Sequence, residues 1–167
     1  MIYKHIQDVL VKAKFSDCKK FRYQLTILKR TKTNGDTLCV IMQNPSVADV
    51  AIADKSVQFL EKLIFEQEIE LFKKVKKIIV VNQFGFIQTK GFVGSSHKIG
   101  QENDSYIRQA IKLSDMVLVA WGKTNPYPER RNTINTILKE YPKKVLLTTK
   151  AHPSRGRYKD FVKPYSF

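Results

Sequence analysis

Leu38-Cys39-Val40-Ile41-Met42-Gln43-Asn44-Pro45-Ser46 sets five apolar residues directly before two amides, a proline and a hydroxyl. An apolar run without polar alternation suits a strand buried on both faces, the usual state of strands in a parallel sheet. Val145-Leu146-Leu147-Thr148-Thr149, with His152-Pro153-Ser154 just beyond it, has the same form. In an open α/β sheet, the loops past the C-terminal strand ends form the binding crevice. Asn44 and His152 therefore mark one candidate site, although they stand far apart in sequence.

Working outward, Lys77 to Asn82 and Met116 to Ala120 read as two more buried strands, the second ending in Trp121-Gly122. Val57, Leu60, Leu63 and Ile64 recur at helical spacing and predict a helix from about Ser56 to Phe72, with a break allowed inside it. Asn103 or Asp104 is placed to cap a helix running to Leu113, and Pro128 to Tyr141 predicts another. Upstream, the alternation of Phe21 to Leu28, the turn signal Asn34-Gly35-Asp36 and the run to Met42 predict a hairpin. The final fifteen residues read as loop. The expected fold class is α/β: a single domain over residues 1–167, three-layer α/β/α with a mainly parallel central sheet, preceded by an N-terminal β-hairpin.

The chain of 167 residues is long enough for a real core, and 43% hydrophobic content argues against disorder. Its apolar stretches are too short to cross a bilayer and no signal-peptide pattern opens it, so a cytoplasmic location without a membrane partner is expected. Cys18 and Cys39 form no metal-binding pair and read as reduced, structural thiols; no cofactor and no metal are expected. Thirty Lys and Arg against fifteen Asp and Glu give a net charge of +15. Such an excess attracts polyanions, and DNA, single- or double-stranded, is the expected partner.

Four strand ends thus carry Asn44, Asn82, Trp121-Gly122 and His152. Amides present a donor and an acceptor together, which matches the edge of a nucleobase, and an imidazole can stabilise charge on a base oxygen. Phe84 or Phe86 is a candidate to stack on the ring. Gln43 and Trp121 are further candidates. Taken singly, Asn44-Pro45-Ser46 is a common turn, Trp121 a core residue, and Phe84 and Phe86 packing residues; their order along successive strands argues for a site. Asp49 reads as a cap, and Asp54 as either a cap or a group that positions water. His5 and His97 have no evident partner.

At these residues the chain resembles the uracil-DNA glycosylase superfamily. Met42-Gln43-Asn44-Pro45-Ser46 stands where that superfamily's main branch has Gly-Gln-Asp-Pro-Tyr-His, Val80-Val81-Asn82 is similar to its strand-ending Asn, and His152-Pro153-Ser154-Arg155-Gly156-Arg157-Tyr158-Lys159 resembles its last motif. A closer likeness is to an uncharacterised bacterial and phage family with Asn-Pro-Ser-x-Ala-Asp, Trp-Gly and His-Pro motifs, met here at Asn44 to Asp49, Trp121-Gly122 and His152-Pro153.

The resemblance implies a glycosylase-like fold and hydrolysis of the N-glycosidic bond of uracil or a modified base. Asn44 and His152 would be catalytic: Asn44 would hold water near the sugar C1′, and His152 would stabilise the departing base. Asn82 would read the base edge, and Ser154, Arg155, Arg157 and Lys159 would contact DNA. Three departures bear on activity: Asn44 replaces the Asp, Ser46 replaces the Tyr that narrows the pocket, and the leucine wedge after His-Pro-Ser is missing. Two other readings follow. One is a non-catalytic relative that binds nucleic acid or acts as a decoy, with a DNA-mimic or glycosylase-binding protein as partner. The other is an enzyme acting on a modified base or nucleoside.

Overall fold

The computed structural model describes residues 3–167. Its seven strands are β1 (Val9–Phe15), β2 (Arg22–Lys29), β3 (Asp36–Met42), β4 (Val75–Asn82), β5 (Met116–Val119), β6 (Val145–Thr149) and β7 (Val162–Pro164). The α-helices are α1 (Lys55–Phe65), α2 (Asn103–Leu113) and α3 (Pro128–Lys139). The strands form one sheet in the order β1-β2-β4-β3-β5-β6-β7.

The parallel pairings β4–β3, β3–β5 and β5–β6 make a four-strand centre, while β1–β2, β2–β4 and β6–β7 are antiparallel. The sheet is therefore mixed, and the expectation of a mainly parallel sheet is corrected. Of the four central strands, β3, β4 and β5 are buried on both faces, whereas β6, expected to be buried as well, alternates, with Val145 exposed and Leu147 and Thr149 buried, because only the three-residue β7 lies beyond it. Leu38, Val40, Ile78, Val80, Leu118 and Leu147 pack toward α1. Cys39, Ile41, Ile79, Val81, Val117 and Val119 pack toward α2 and α3. Helices thus cover both faces, as the alternation of strands and helices predicts.

The expected hairpin from Phe21 to Met42 is also corrected. Its two strands form but do not pair, because β4 lies between them. The reason is burial: Ile78-Ile79-Val80-Val81-Asn82 is buried without interruption, whereas β2 alternates between buried and part-exposed. The doubly buried strand takes the interior position. The β2–β3 connection instead crosses the start of β4, where Lys32 Nζ donates to the carbonyls of Lys73 and Val75 and Asp36 N–H donates to that of Lys74. Gly35 passes so close to the Lys74 carbonyl oxygen that a Cβ would overlap it. The hairpin that does form joins β1 and β2, and β1 was not predicted; nor was β7, in the segment read as loop.

Helix α1 stops at Phe65, and a single 3-10 turn, Glu70–Phe72, follows after Glu68 takes a left-handed φ of 52°. Asn103 does not cap α2. It lies inside the helix and its Nδ2 donates to the carbonyls of Asn82 and Gln83, tying the helix to the end of β4. Among the described residues, no helix is long and apolar enough to cross a membrane.

The parallel centre decides where a ligand can enter. The chain leaves β3 toward β4 on one side over α1, and leaves β5 toward β6 on the other side over α3. β3 and β5 are adjacent, so their C-terminal loops diverge and leave a crevice between them, the topological switch point of an open α/β sheet.

Candidate functional site

A cleft of about 640 Å³ opens at that switch point, a volume within the range of small-ligand sites. The loop after β3 brings Gln43, Asn44 and Ser46, the loop after β5 brings Trp121 and Gly122, and the segment after β6 brings His152, Ser154 and Arg155; Asp54, at the start of α1, lines it too. The structure therefore brings together eight of the thirteen residues singled out from sequence.

Asn44 is fixed by its amide nitrogen, which donates to the Gln88 carbonyl at 2.8 Å and to that of Pro45 at 3.2 Å. Among the described residues its Oδ1 meets only Gln43 Nε2, at 3.5 Å, the limit of a hydrogen bond, and stays available as an acceptor. The Ser46 hydroxyl pairs with that of Thr89 at 3.2 Å. Asp54 is the N-cap of α1: its Oδ1 accepts from Val57 N–H at 2.8 Å, which satisfies a free helix-end donor. The capping reading of Asp54 is met, and the same residue borders the cleft. Asp49 caps a turn rather than the helix, with Oδ1 accepting from the N–H groups of Ala51 and Ile52.

His152 opens the 3-10 turn Pro153–Arg155. The Ser154 N–H donates to its Nδ1 at 3.2 Å, and the Ser154 hydroxyl lies 2.9 Å from the same nitrogen. Nδ1 therefore carries the lone pair, and the proton of the neutral ring sits on Nε2. Burial lowers its pKa, Asp54 pulls it back up, and Arg155 pushes it down again; the result lies below the usual 6.5. At neutral pH His152 is a neutral donor whose Nε2–H has no protein partner among the described residues. Gly122 stands next to His152 with a left-handed φ of 105°, and a Cβ there would be 3.4 Å from that of His152.

The other predicted residues lie elsewhere. Asn82 is fully buried, and neither of its side-chain polar atoms has a partner among the described residues. The chain after it continues alongside β3, with Gln83 N–H donating to Met42 O and Phe84 N–H to Gln43 O, and Asn82 does not line the cleft. Phe84 packs into an aromatic group with Phe92 and Tyr127, and Phe86 lies edge-on to Phe21. Arg157 and Lys159 are exposed outside the cleft, on a loop anchored by the stack of Tyr158 on Phe59 at 5.1 Å.

Sequence reasoning missed Phe92, Gln88 and Thr89, which close the cleft from the loop after β4. The signal was Gly91-Phe92-Val93-Gly94, an aromatic residue held between two glycines in a polar loop. Gly94 is required by packing: a Cβ would come within 2.6 Å of Phe84 and 2.7 Å of Tyr127. Tyr3 was missed as well. It reaches the cleft because the N-terminal segment is strapped to α1 by His5, which bonds the buried Glu61 and the Asp49 carbonyl.

A protein-family model described as "Protein of unknown function (DUF1643)" matches residues 22–155. The chain belongs to the DUF1643 family. No curated protein and no solved structure matches it. The matched region of this DUF1643 chain runs from β2 to the end of the 3-10 turn after His152. It includes every cleft residue except Tyr3 and leaves out β1 and β7. Among the described residues of this family member, no group of three or more His, Cys, Asp or Glu is placed to hold a metal ion.

Proposed function

We propose that this protein binds DNA and hydrolyses the N-glycosidic bond of a base turned into the cleft between β3 and β5. The observation that carries the reading is His152: a neutral imidazole, fixed through Nδ1, with its Nε2–H left free in a cleft that Asn44 and Asp54 also line. In the reaction, water held by Asn44 Oδ1 attacks the sugar C1′. The C1′–N bond breaks and its electron pair goes to the base, where the His152 Nε2–H stabilises the negative oxygen. The proton of the attacking water passes to Asp54, among the described residues the only carboxylate lining the cleft. Phe92, in place of Phe84 or Phe86, offers the ring against which the base stacks. Ser46 leaves the pocket open to bases larger than uracil. The net charge of +15 supplies the attraction for a phosphate backbone.

Asn82 favours a second reading. With its amide sealed out of the cleft, the base edge loses the group expected to read it, which suits a relative that binds nucleic acid without excising a base. The deciding experiment measures base release from single- and double-stranded oligonucleotides carrying uracil or a modified base. Wild type is compared with His152→Ala and Asn44→Asp. Release abolished by His152→Ala supports hydrolysis at this cleft. Binding without release in the wild type selects the second reading, and release indifferent to both substitutions refutes the site.

A further inference from the structure

Beside the first cleft lies another, of about 460 Å³, between α3 and the β6–β7 edge. The two share a wall, since Trp121, Gly122 and Lys123 line both. Lys123, Arg131, Lys150 and Lys163 surround the second cleft, and among the described residues no Asp or Glu lines it. All four cations are exposed. None forms a salt bridge among the described residues, where the ion pairs are His5–Glu61, Lys73–Glu70, Arg108–Glu140 and Arg130–Asp104. Four unneutralised cations around one depression are complementary to phosphate.

The cleft also offers aromatic surface. Tyr165 is set by its hydroxyl, which donates to Asn135 Oδ1 at 2.6 Å, and by its N–H, which donates to the Leu146 carbonyl at 3.0 Å. Its ring meets Trp121 nearly at right angles, with centroids 6.1 Å apart. Phe167 follows with 59% of its surface exposed. A basic groove interleaved with rigid rings is the usual construction of single-strand nucleic-acid sites: cations track the backbone and bases stack on the rings. A lone anion would use the cations and leave the rings idle.

We propose that this second cleft is a subsite for the neighbouring nucleotide of the same strand. A single strand whose base occupies the first cleft continues over Lys123, lays its next phosphate among Arg131, Lys150 and Lys163, and rests its next base against Tyr165 and Phe167. The assignment rests on the reading of the first cleft as a nucleotide site. It adds that the substrate is a strand rather than a free nucleoside. A third of the lining of the second cleft, residues 163–167, lies outside the region that matches the family.

The test compares the wild type with Arg131→Ala/Lys163→Ala, both exposed positions, and with His152→Ala. Binding of inorganic phosphate, a mononucleotide and single-stranded oligonucleotides of two to eight nucleotides is measured against salt. Trp121, the only tryptophan, lies on the shared wall and reports occupancy by its fluorescence. In wild type, affinity is expected to rise from mononucleotide to dinucleotide. The double variant is expected to lose that rise, and its salt slope for oligonucleotides to fall by about 1.4, or about 25-fold in affinity at 0.1 M salt referred to 1 M. Its mononucleotide affinity stays unchanged. Equal slopes and affinities in the two proteins overturn the subsite, as does equal weakening for phosphate alone, which would mark a simple anion patch. If the double variant weakens oligonucleotide binding while His152→Ala changes neither binding nor base release, the first cleft's reading fails instead. Absence of oligonucleotide binding in the wild type overturns both.

Discussion

Replacing His5 with alanine tests how the N-terminal segment is held against the cleft. Glu61 sits on α1 with no exposed surface, and the His5 side chain retains only 9% of its own. The carboxylate takes the His5 Nδ1–H at 2.5 Å and the Ile6 N–H at 3.0 Å, while His5 Nε2 faces the Asp49 carbonyl at 2.8 Å. Both ring nitrogens face acceptors, so the doubly protonated imidazolium fits this place. Burial alone would lower its pKa; the hydrogen bonds to Glu61 and Asp49 and the charge of Glu61 outweigh that and raise it above 6.5. His5→Ala leaves a buried carboxylate with a single N–H, and removing one partner of a buried pair costs about 3 kcal/mol or more. For a chain of this size that is a fall of about 6–12 °C in Tm.

Linkage gives the same substitution a pH signature. Because the folded pKa is raised, the stabilisation is complete below the unfolded value of about 6.5 and is lost as pH rises through the higher folded value. Thermal and denaturant unfolding of wild type and His5→Ala between pH 5.5 and 9 should therefore show a stability gap that narrows with rising pH. His5→Leu/Glu61→Leu removes both charges and should lose less than His5→Ala. A gap below 1 kcal/mol at pH 6, or one independent of pH, would refute the reasoning.

Other expected outcomes are direct. Because the His152 pKa is lowered, base release should stay flat from pH 8 to 6.5 and decline only as the medium is acidified through that lower value, read from a pH–rate profile. Gly122→Ala, at a left-handed φ of 105° and facing the His152 Cβ, should lose about 1–3 kcal/mol, measured by denaturant unfolding, and weaken oligonucleotide binding. Gly94→Ala forces a Cβ against Phe84 and Tyr127; hydrogen exchange of residues 88–95 should quicken while that of β3 and β4 stays unchanged.

Much of the fold was legible because apolar periodicity reports burial directly. The runs of β3, β4 and β5, and the helical spacing of Val57, Leu60, Leu63 and Ile64, each state how many faces are covered; β6 has a run of the same form yet leaves Val145 exposed. The hairpin was misread because alternation and a glycine turn describe two strands locally and cannot reveal a third inserted between them. β7 was missed because its three residues, Val162-Lys163-Pro164, pair only with β6 and carry no pattern of their own.

The composition of the sheet's interior, the charge, and the loops that begin where buried strands stop are all written along the chain. Those follow from local chemistry: hydrophobicity along the strand, and residues such as Pro45 and Pro153 that end it. Which of those loops meet is settled by the assembled sheet. The order β4-β3-β5-β6 opens the crevice between β3 and β5, which puts Asn44, Asp54 and His152 around one cleft and leaves Asn82 sealed beneath the chain that continues past β4. It also drew Phe92 from a loop and Tyr3 from the N-terminal strap into the same wall. Strand order and strap are long-range choices, fixed by which surfaces bury best together, and no neighbouring residues along the chain encode them.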